Sequence, residues 1–402
     1  MVRKNVSLAR DLAGWAVGLE PSSEDLELAD RSLLDTIMVT LAARGHDAER
    51  LVAESSDVAR WATLGHVLDF DDLHMESTSH ISAICVPTTL SVSGDARAYL
   101  AGAGVMARLG AALGWSHYSR GWHATCTAGA PAAAVAAAVA LGLDVDGIAT
   151  SMALAVPAGG GVQRSFGTSA KSLQVGFAAE AGIRAARLAS LGASADTTAV
   201  DQWFDLIGGD RNRLSLAGPA VPGGLAIKVF PCCYALQRPI SAVRALPGPP
   251  VDPADVARIT VRTPASTVQP LIHSRPTTGL EAKFSLEYAL AAAVLDGAPG
   301  FDSFTDAAVT RPDAVALVDK VEVTTIPGGD WLLAGELELE IHLANGSSHA
   351  TSLSLPPGAP TRPPSAEEMR TKVDLSAQDL ADEVVEVSWT DAPTFLREHL
   401  PR

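Results

Sequence analysis

Residues 127–145 read TAGAPAAAVAAAVALGLDV. This is the longest apolar run of the chain, and its reading sets the fold class. Its length invites a membrane span, but it is mostly alanine and carries Gly129 and Pro131 inside it. Alanine gains little from lipid, whereas between packed helices its small side chain permits close approach. The run is therefore expected to be a buried helix with near neighbours.

Working outward, residues 25–41 place Leu26, Ala29, Leu33, Ile37 and Leu41 at three- and four-residue intervals, an apolar stripe of helical period. Residues 98–113, 131–143, 145–155 and 172–191 read in the same way. Beyond Lys228-Val229-Phe230-Pro231 the pattern changes. Residues 256–261 alternate as a half-buried strand, 280–295 read as a helix stopped by Asp296-Gly297, and 321–323 and 336–343 alternate again. Asn345-Gly346 is a hairpin turn signal ahead of 350–355. The expected fold is mainly α. A large all-helical domain covers 1–234, completed by C-terminal helices in 365–402, and a smaller α+β domain covers 235–364, ending in a proline-rich stretch.

A chain of 402 residues exceeds what one core usually organises, in keeping with two domains. With 47% hydrophobic and 19% charged residues it can bury a large core, which excludes a mainly disordered protein. Thirty Lys+Arg against 46 Asp+Glu give a net charge of −16. That balance argues against nucleic acid and anionic membranes as partners, though a local basic cluster can still hold a small acidic substrate. The four cysteines, Cys85, Cys126, Cys232 and Cys233, form no metal or iron–sulfur spacing, and the charged N-terminal residues do not read as a secretory leader. A cytoplasmic, reduced protein is expected.

The densest polar stretch is Asp69-Phe70-Asp71-Asp72-Leu73-His74, followed by His80-Ile81-Ser82. Its carboxylates and imidazoles suit proton transfer or a divalent metal, but aspartate-rich loops more often cap helix starts. No second ligand cluster supports the metal. His123 precedes the alanine-rich helix, where a histidine near a helix start is the plain alternative. Lys171 follows Gly159-Gly160-Gly161 and Gly167, with no nucleotide-loop spacing around it. Lys228 sits where the pattern changes, although most lysines are surface charges. Tyr288 lies near Lys283 and Glu287, whose i to i+4 pairing is a sufficient structural explanation. Tyr234, Arg238 and His273 carry no further signal.

In order, the landmarks are His66-Val67-Leu68-Asp69-Phe70-Asp71-Asp72, His80-Ile81-Ser82-Ala83, Gly121-Trp122-His123, Lys171 before Gly176, Lys228-Val229-Phe230-Pro231-Cys232-Cys233, and Glu281-Ala282-Lys283-Phe284-Ser285 leading to Tyr288 and Asp296-Gly297. Taken together they resemble the MmgE/PrpD family, which includes 2-methylcitrate dehydratase, cis-aconitate decarboxylase and iminodisuccinate epimerase. The resemblance implies a helical domain capped by an α+β lid, usually in a homodimer, with the site between the domains. It matches Asp69, His80, His123, Lys171, Lys228 and Tyr288 to the family's active-site residues and implies no cofactor and no metal. This chain departs at Ile81, where the family commonly has proline, and it is shorter than many members.

The implied chemistry is proton removal next to a carboxylate of a di- or tricarboxylate. Lys171 and Lys228 would clamp carboxylates, His80 and His123 would exchange protons, Asp69 would orient an imidazole and Tyr288 would donate a proton or hydrogen bond. A lyase acting as a dehydratase is the first expectation; a decarboxylase or epimerase on the same scaffold is the next. A non-catalytic carboxylate-binding protein is the alternative of another class, supported only by the Ile81 departure. A purely structural helical scaffold would leave the lysines and histidines without a shared purpose.

Overall fold

The computed structural model describes residues 7–400. The chain is mainly α, with one four-stranded sheet, and divides into two units. The first takes the described residues up to Val162, Ser172–Ala226 and the described residues from Val373 onward. The second takes Gln163–Lys171 and Ile227–Lys372. Relative to the sequence reading, the change of unit comes a few residues earlier, at Ala226/Ile227, so Lys228 and the helix Tyr234–Arg244 belong with the second unit. The short segment that ends in Lys171 joins them there. Among the described residues no helix is long and apolar enough to cross a membrane.

In the first unit, residues 127–145 resolve into a helix, Ala124–Ala140, followed at once by Val145–Ala155, whose N-terminus Asp144 caps through the Gly147 N–H at 2.9 Å. Every residue from Ala124 to Ala138 is buried. The helix packs on Ile81–Ser91, Ala96–Tyr118 and Val145–Ala155. The small residues set the spacing. A Cβ on Gly102 would stand 2.6 Å from the Ala136 Cβ, and one on Gly182 would stand 2.4 Å from the Ala133 Cβ, so both neighbours approach closer than any side chain would allow. The stripe at 25–41 lies within the helix Ser23–Ala42, opened by a Ser22/Asp25 capping box. The C-terminal helices pack into this unit: Trp389 Nε1 donates to Asp30 at 3.1 Å and its ring lies 5.3 Å from Tyr99.

The second unit is built on a sheet of order β2-β1-β3-β4. The strands are β1 (Val256–Pro264), β2 (Val321–Ile326), β3 (Leu337–Leu343) and β4 (Ser348–Leu353), with β1 parallel to β2 and antiparallel to β3. Ile259 pairs with Val321 on one side and Ile341 on the other, which places Leu337, Leu339 and Ile341 on the buried face. Tyr234–Arg244 packs on β3 and β4. Its Arg238 guanidinium is wholly buried and answered by the carbonyls of Leu333, Gly335 and Ser354 and the hydroxyls of Thr263 and Thr267. The helix expected at 280–295 is two helices, Gly279–Ala282 and Leu286–Asp296, because Ser285 caps the second by accepting from the Tyr288 N–H. The proposed Lys283–Glu287 pair is thereby replaced: Lys283 Nζ donates to the Pro231 carbonyl at 2.6 Å and lies 4.8 Å from the Phe304 ring centre.

The aspartate loop partly follows the capping alternative. Asp72 accepts from the Ser82 N–H at 3.2 Å and from the Ser82 hydroxyl, whose oxygen lies 2.9 Å from Tyr99 OH, so it caps the helix Ile81–Ser91. Burial, with the like charge of Asp35 adding to it and the Ser82 hydrogen bonds opposing, pushes the Asp72 carboxyl up to about 7 from an ordinary 3.8. The folded protein therefore keeps a proton that the unfolded chain releases as pH rises. Stability from this group is complete below about pH 4 and is lost as pH rises through about 7. Asp72→Asn removes that dependence. Its unfolding free energy relative to wild type should rise by roughly 2–4 kcal/mol between about pH 4 and pH 8. Parallel stability profiles in denaturant melts across this range would show that Asp72 ionises normally.

Candidate active site

The first unit gathers four buried polar side chains from one loop and the two helices beside it. His66 lies in the last turn of Asp57–Val67. Asp69 follows in a left-handed backbone conformation (φ 54°), which turns the chain sharply after its N–H bonds the His66 carbonyl at 3.1 Å. Asp71 comes next, and His80 stands at the N-cap of Ile81–Ser91, its own N–H donating to Thr125 Oγ1 at 3.0 Å. The hydroxyl of Thr125, in the first turn of Ala124–Ala140, thus ties the two helix starts together.

Within this group Asp71 Oδ2 lies 2.7 Å from His66 Nδ1 and 3.0 Å from His80 Nδ1, while Asp69 Oδ1 lies 3.8 Å from His80 Nε2. The His66 and His80 rings meet edge to face with centres 4.6 Å apart, and His123 stacks on His66 at 5.7 Å. Burial on its own would raise the Asp71 carboxyl. The charges and hydrogen bonds of His66 and His80 outweigh it and hold Asp71 well below the usual carboxylate range. His80 thus has a carboxylate at each ring nitrogen. Such an imidazole can take up a proton without leaving an uncompensated charge in the interior.

Donor atoms of His66, Asp69, Asp71 and His80 all lie within 4.8 Å of one another, a mixed nitrogen and oxygen set that suits a divalent ion such as zinc. Their present arrangement turns the donors on one another, since one oxygen of Asp71 takes both Nδ1 atoms. A metal would have to displace the protons that hold them. The geometry is that of a charge-paired cluster built on the His66–Asp71 hydrogen bond.

His123, at the N-cap of Ala124–Ala140, is held by its N–H on the Gly161 carbonyl at 3.0 Å, with its ring Nδ1 3.1 Å from Gln174 Nε2. His74, by contrast, is structural. Its Nδ1 lies 2.8 Å from Ser77 Oγ and its Nε2 2.7 Å from the Pro222 carbonyl, and burial lowers its pKa.

The other three predicted residues lie in the second unit. Lys171, in the first turn of Ala170–Ser190, is buried with its ammonium 5.4 Å from the ring centres of both Phe166 and Phe284, which stack on each other at 5.1 Å. His273 Nε2, 3.0 Å from the Phe166 carbonyl, secures that segment. Lys228 is completely buried. The loop that carries it is stitched by Gln237, whose Oε1 accepts from the Val229 and Phe230 N–H groups and whose amide nitrogen donates to the Phe230 carbonyl at 2.9 Å. Tyr288 is engaged elsewhere: its buried hydroxyl donates to the Ser303 carbonyl, and burial pushes its pKa up to about 12.

So Asp69, His80 and His123 come together in the first unit, with His66 and Asp71 completing the group, while Lys171, Lys228 and Tyr288 belong to the second unit. His66 and Asp71 were visible in the sequence only as parts of a landmark and of a polar run. Gln174 and Gln237 were not visible at all, because a lone glutamine inside a helix carries no spacing signal.

Residues 56–207 match the MmgE/PrpD N-terminal domain, and residues 230–389 match the MmgE/PrpD C-terminal domain. The chain belongs to the MmgE/PrpD family. Two curated relatives in that family are similar at low identity. One is a cis-aconitate decarboxylase of Aspergillus terreus, 25% identical over 334 residues that span 72% of this chain and 68% of that protein. The other is a cis-aconitate decarboxylase of Homo sapiens, 25% identical over 270 residues, 61% of this chain and 53% of that protein. The N-terminal MmgE/PrpD match includes the whole His66–His80–His123 group and Lys171; Lys228 falls two residues before the C-terminal match begins.

The shared carboxylate is the keystone of this group. Asp71→Asn leaves two buried imidazoles without their common counter-charge and should lower the unfolding free energy at about pH 7 by about 3 kcal/mol in a denaturant melt. A change below about 0.5 kcal/mol would mean that neither histidine draws on that carboxylate.

Proposed function

We propose that this protein is a lyase that removes a proton from a carbon next to a carboxylate of a di- or tricarboxylate. The observation that carries the reading is the His80 ring with Asp71 at one nitrogen and Asp69 at the other. A base that gains a proton becomes a cation, and here the counter-charge is already in place, so no reorganisation accompanies the transfer. The product of deprotonation is an enediolate-like dianion, which demands fixed positive charge. Lys171 and Lys228 are proposed to supply it. Both are buried, and each is set on a braced segment rather than a loose surface stem. His123 is proposed as the second proton-exchanging group, and Tyr288 as a brace of the second unit through Ser303.

Loss of a β-hydroxyl as water after proton removal gives dehydration, the first reading. A second reading, decarboxylation, is favoured by the activity of the two relatives, both cis-aconitate decarboxylases. There a carboxylate leaves as carbon dioxide, its bonding electrons pass to the adjacent carbon, and that carbon then takes a proton. Both paths pass through the same charge distribution, so these residues serve either.

Proton NMR in deuterium oxide with 2-methylcitrate, citrate, cis-aconitate and iminodisuccinate separates the outcomes. A vinyl signal with solvent deuterium in the substrate pool supports dehydration, and a deuterated product one carboxylate shorter supports decarboxylation. Unchanged spectra with binding, seen as a raised melting temperature, would replace the lyase by a carboxylate-binding protein. For the active substrate, His80→Asn and Lys228→Met should each lower kcat by at least about 10²-fold with the fold intact by circular dichroism. Wild-type turnover in both would sink the assignment of roles.

A further inference from the structure

His80 and His123 are both histidines at helix N-caps, yet their rings are addressed differently. His80 presents Nδ1 to a carboxylate oxygen of Asp71 at 3.0 Å. A carboxylate charge that close favours the proton on Nδ1 over a lone pair, so in the neutral ring the lone pair is on Nε2. At His123 the partner is an amide. Gln174 Oε1 lies 3.0 Å from the Val162 N–H, and its Nε2 lies 3.4 Å from the Val162 carbonyl and 3.1 Å from His123 Nδ1. Exchanging the two ends of the amide would set N–H against N–H and oxygen against oxygen at Val162. The backbone therefore fixes the amide with its NH₂ group toward the ring. An amide nitrogen donates and does not accept, so His123 Nδ1 is an acceptor, and the neutral ring must carry its proton on Nε2. Cys126 Sγ, 3.3 Å from the same Nδ1, can donate or accept weakly and so does not set the tautomer by itself.

We infer that Gln174 is a positioning residue that locks His123 in the Nε2–H tautomer, opposite to that of His80. The consequence for catalysis rests on the proton-transfer reading above: neutral His123 meets the substrate as the proton donor, and His80 is left as the acceptor. The tautomer itself does not depend on that reading. Gly161, next to Val162, holds the same arrangement from the backbone side. Gly161 (φ +119°) brings the chain back against Cys126 so closely that a Cβ would stand 2.7 Å from the Cys126 Cβ, and its carbonyl holds the His123 N–H.

The test is ¹⁵N NMR of protein labelled at histidine, without substrate and at about pH 8.5, where an ordinary imidazole is neutral. His80→Asn and His123→Asn assign the two rings. In wild type, His123 should show a protonated Nε2 and an unprotonated Nδ1, and His80 the reverse. Gln174→Glu puts an acceptor where the donor was and should move the His123 proton to Nδ1, whereas Cys126→Ala should leave it on Nε2. A wild-type His123 protonated on Nδ1, or a tautomer indifferent to Gln174→Glu, overturns the inference. Should Gln174→Glu fail to fold, the wild-type spectrum decides alone. On the active substrate, Gln174→Glu should lower kcat by on the order of 10²-fold or more with KM within about threefold, as a misplaced imidazole proton does elsewhere. A shifted tautomer with unchanged kcat would overturn the donor role. Absence of turnover on every polycarboxylate would count against the lyase while leaving the tautomer result standing.

Discussion

The first unit depends on how closely backbones pack around one alanine-rich helix. Ala124–Ala140 has no bulky side chain to hold its neighbours off. At Gly102, Gly129 and Gly182 the neighbouring side chains or backbones come within 3.0 Å of where a Cβ would be. Gly129 meets Ile84 of the helix that His80 opens, and Gly182 meets Ala133 from the helix that carries Gln174. His123 opens the alanine-rich helix itself. Three groups distant in sequence therefore share one frame; a methyl added at Gly102 or Gly182 meets alanine Cβ and backbone atoms and would have to move a helix, whereas at Gly129 the Ile84 side chain would have to give.

Upon that frame sits a problem of buried charge. Several carboxylates and imidazoles are removed from water in the first unit, and four lysines, Lys171, Lys228, Lys283 and Lys372, in the second. Isolated, each would cost several kcal/mol. The first unit meets this in two ways. Asp71 is ionised against two imidazoles, while Asp72, its neighbour in sequence, is driven toward the neutral form and serves as a cap on Ser82. Adjacent residues of one type thus do opposite work because their side chains leave the loop toward different partners. The second unit relies on aromatic faces for Lys171 and on a loop stitched by Gln237 to hold Lys228 in place.

Much of this was legible in the sequence where periodicity spoke. The helices at 25–41 and 145–155, the alternating strands and the Asn345-Gly346 turn follow from apolar spacing and turn chemistry alone. The break at Lys283–Ser285 was not, because a serine inside an apolar helical pattern reads as a neutral position until its hydroxyl is seen capping Tyr288. The polar run at 69–80 announced chemistry but not its division of labour. Asp69, Asp71 and Asp72 look alike as letters; a left-handed turn at Asp69 is what sends them different ways. Gln174 lay beyond sequence reasoning altogether, since its importance comes from Val162 and His123, twelve and fifty-one residues away.

The departure at Ile81 bears on whether the site has been retained for chemistry. Proline suits the first position of a helix because the N–H it lacks there has no intrahelical partner and its fixed φ is already helical. Ile81 is the first residue of Ile81–Ser91. Replacing proline at that position returns one N–H and some freedom to the unfolded chain but takes nothing from the helix. His80 keeps its N-cap place and its bond to Thr125, and Ser82 keeps both contacts to Asp72. Every distance that sets the His80 ring is fixed by groups other than residue 81. The one feature of the sequence that spoke for a binding protein without catalysis is thus a change in how the helix starts, and it leaves the charge-paired cluster whole.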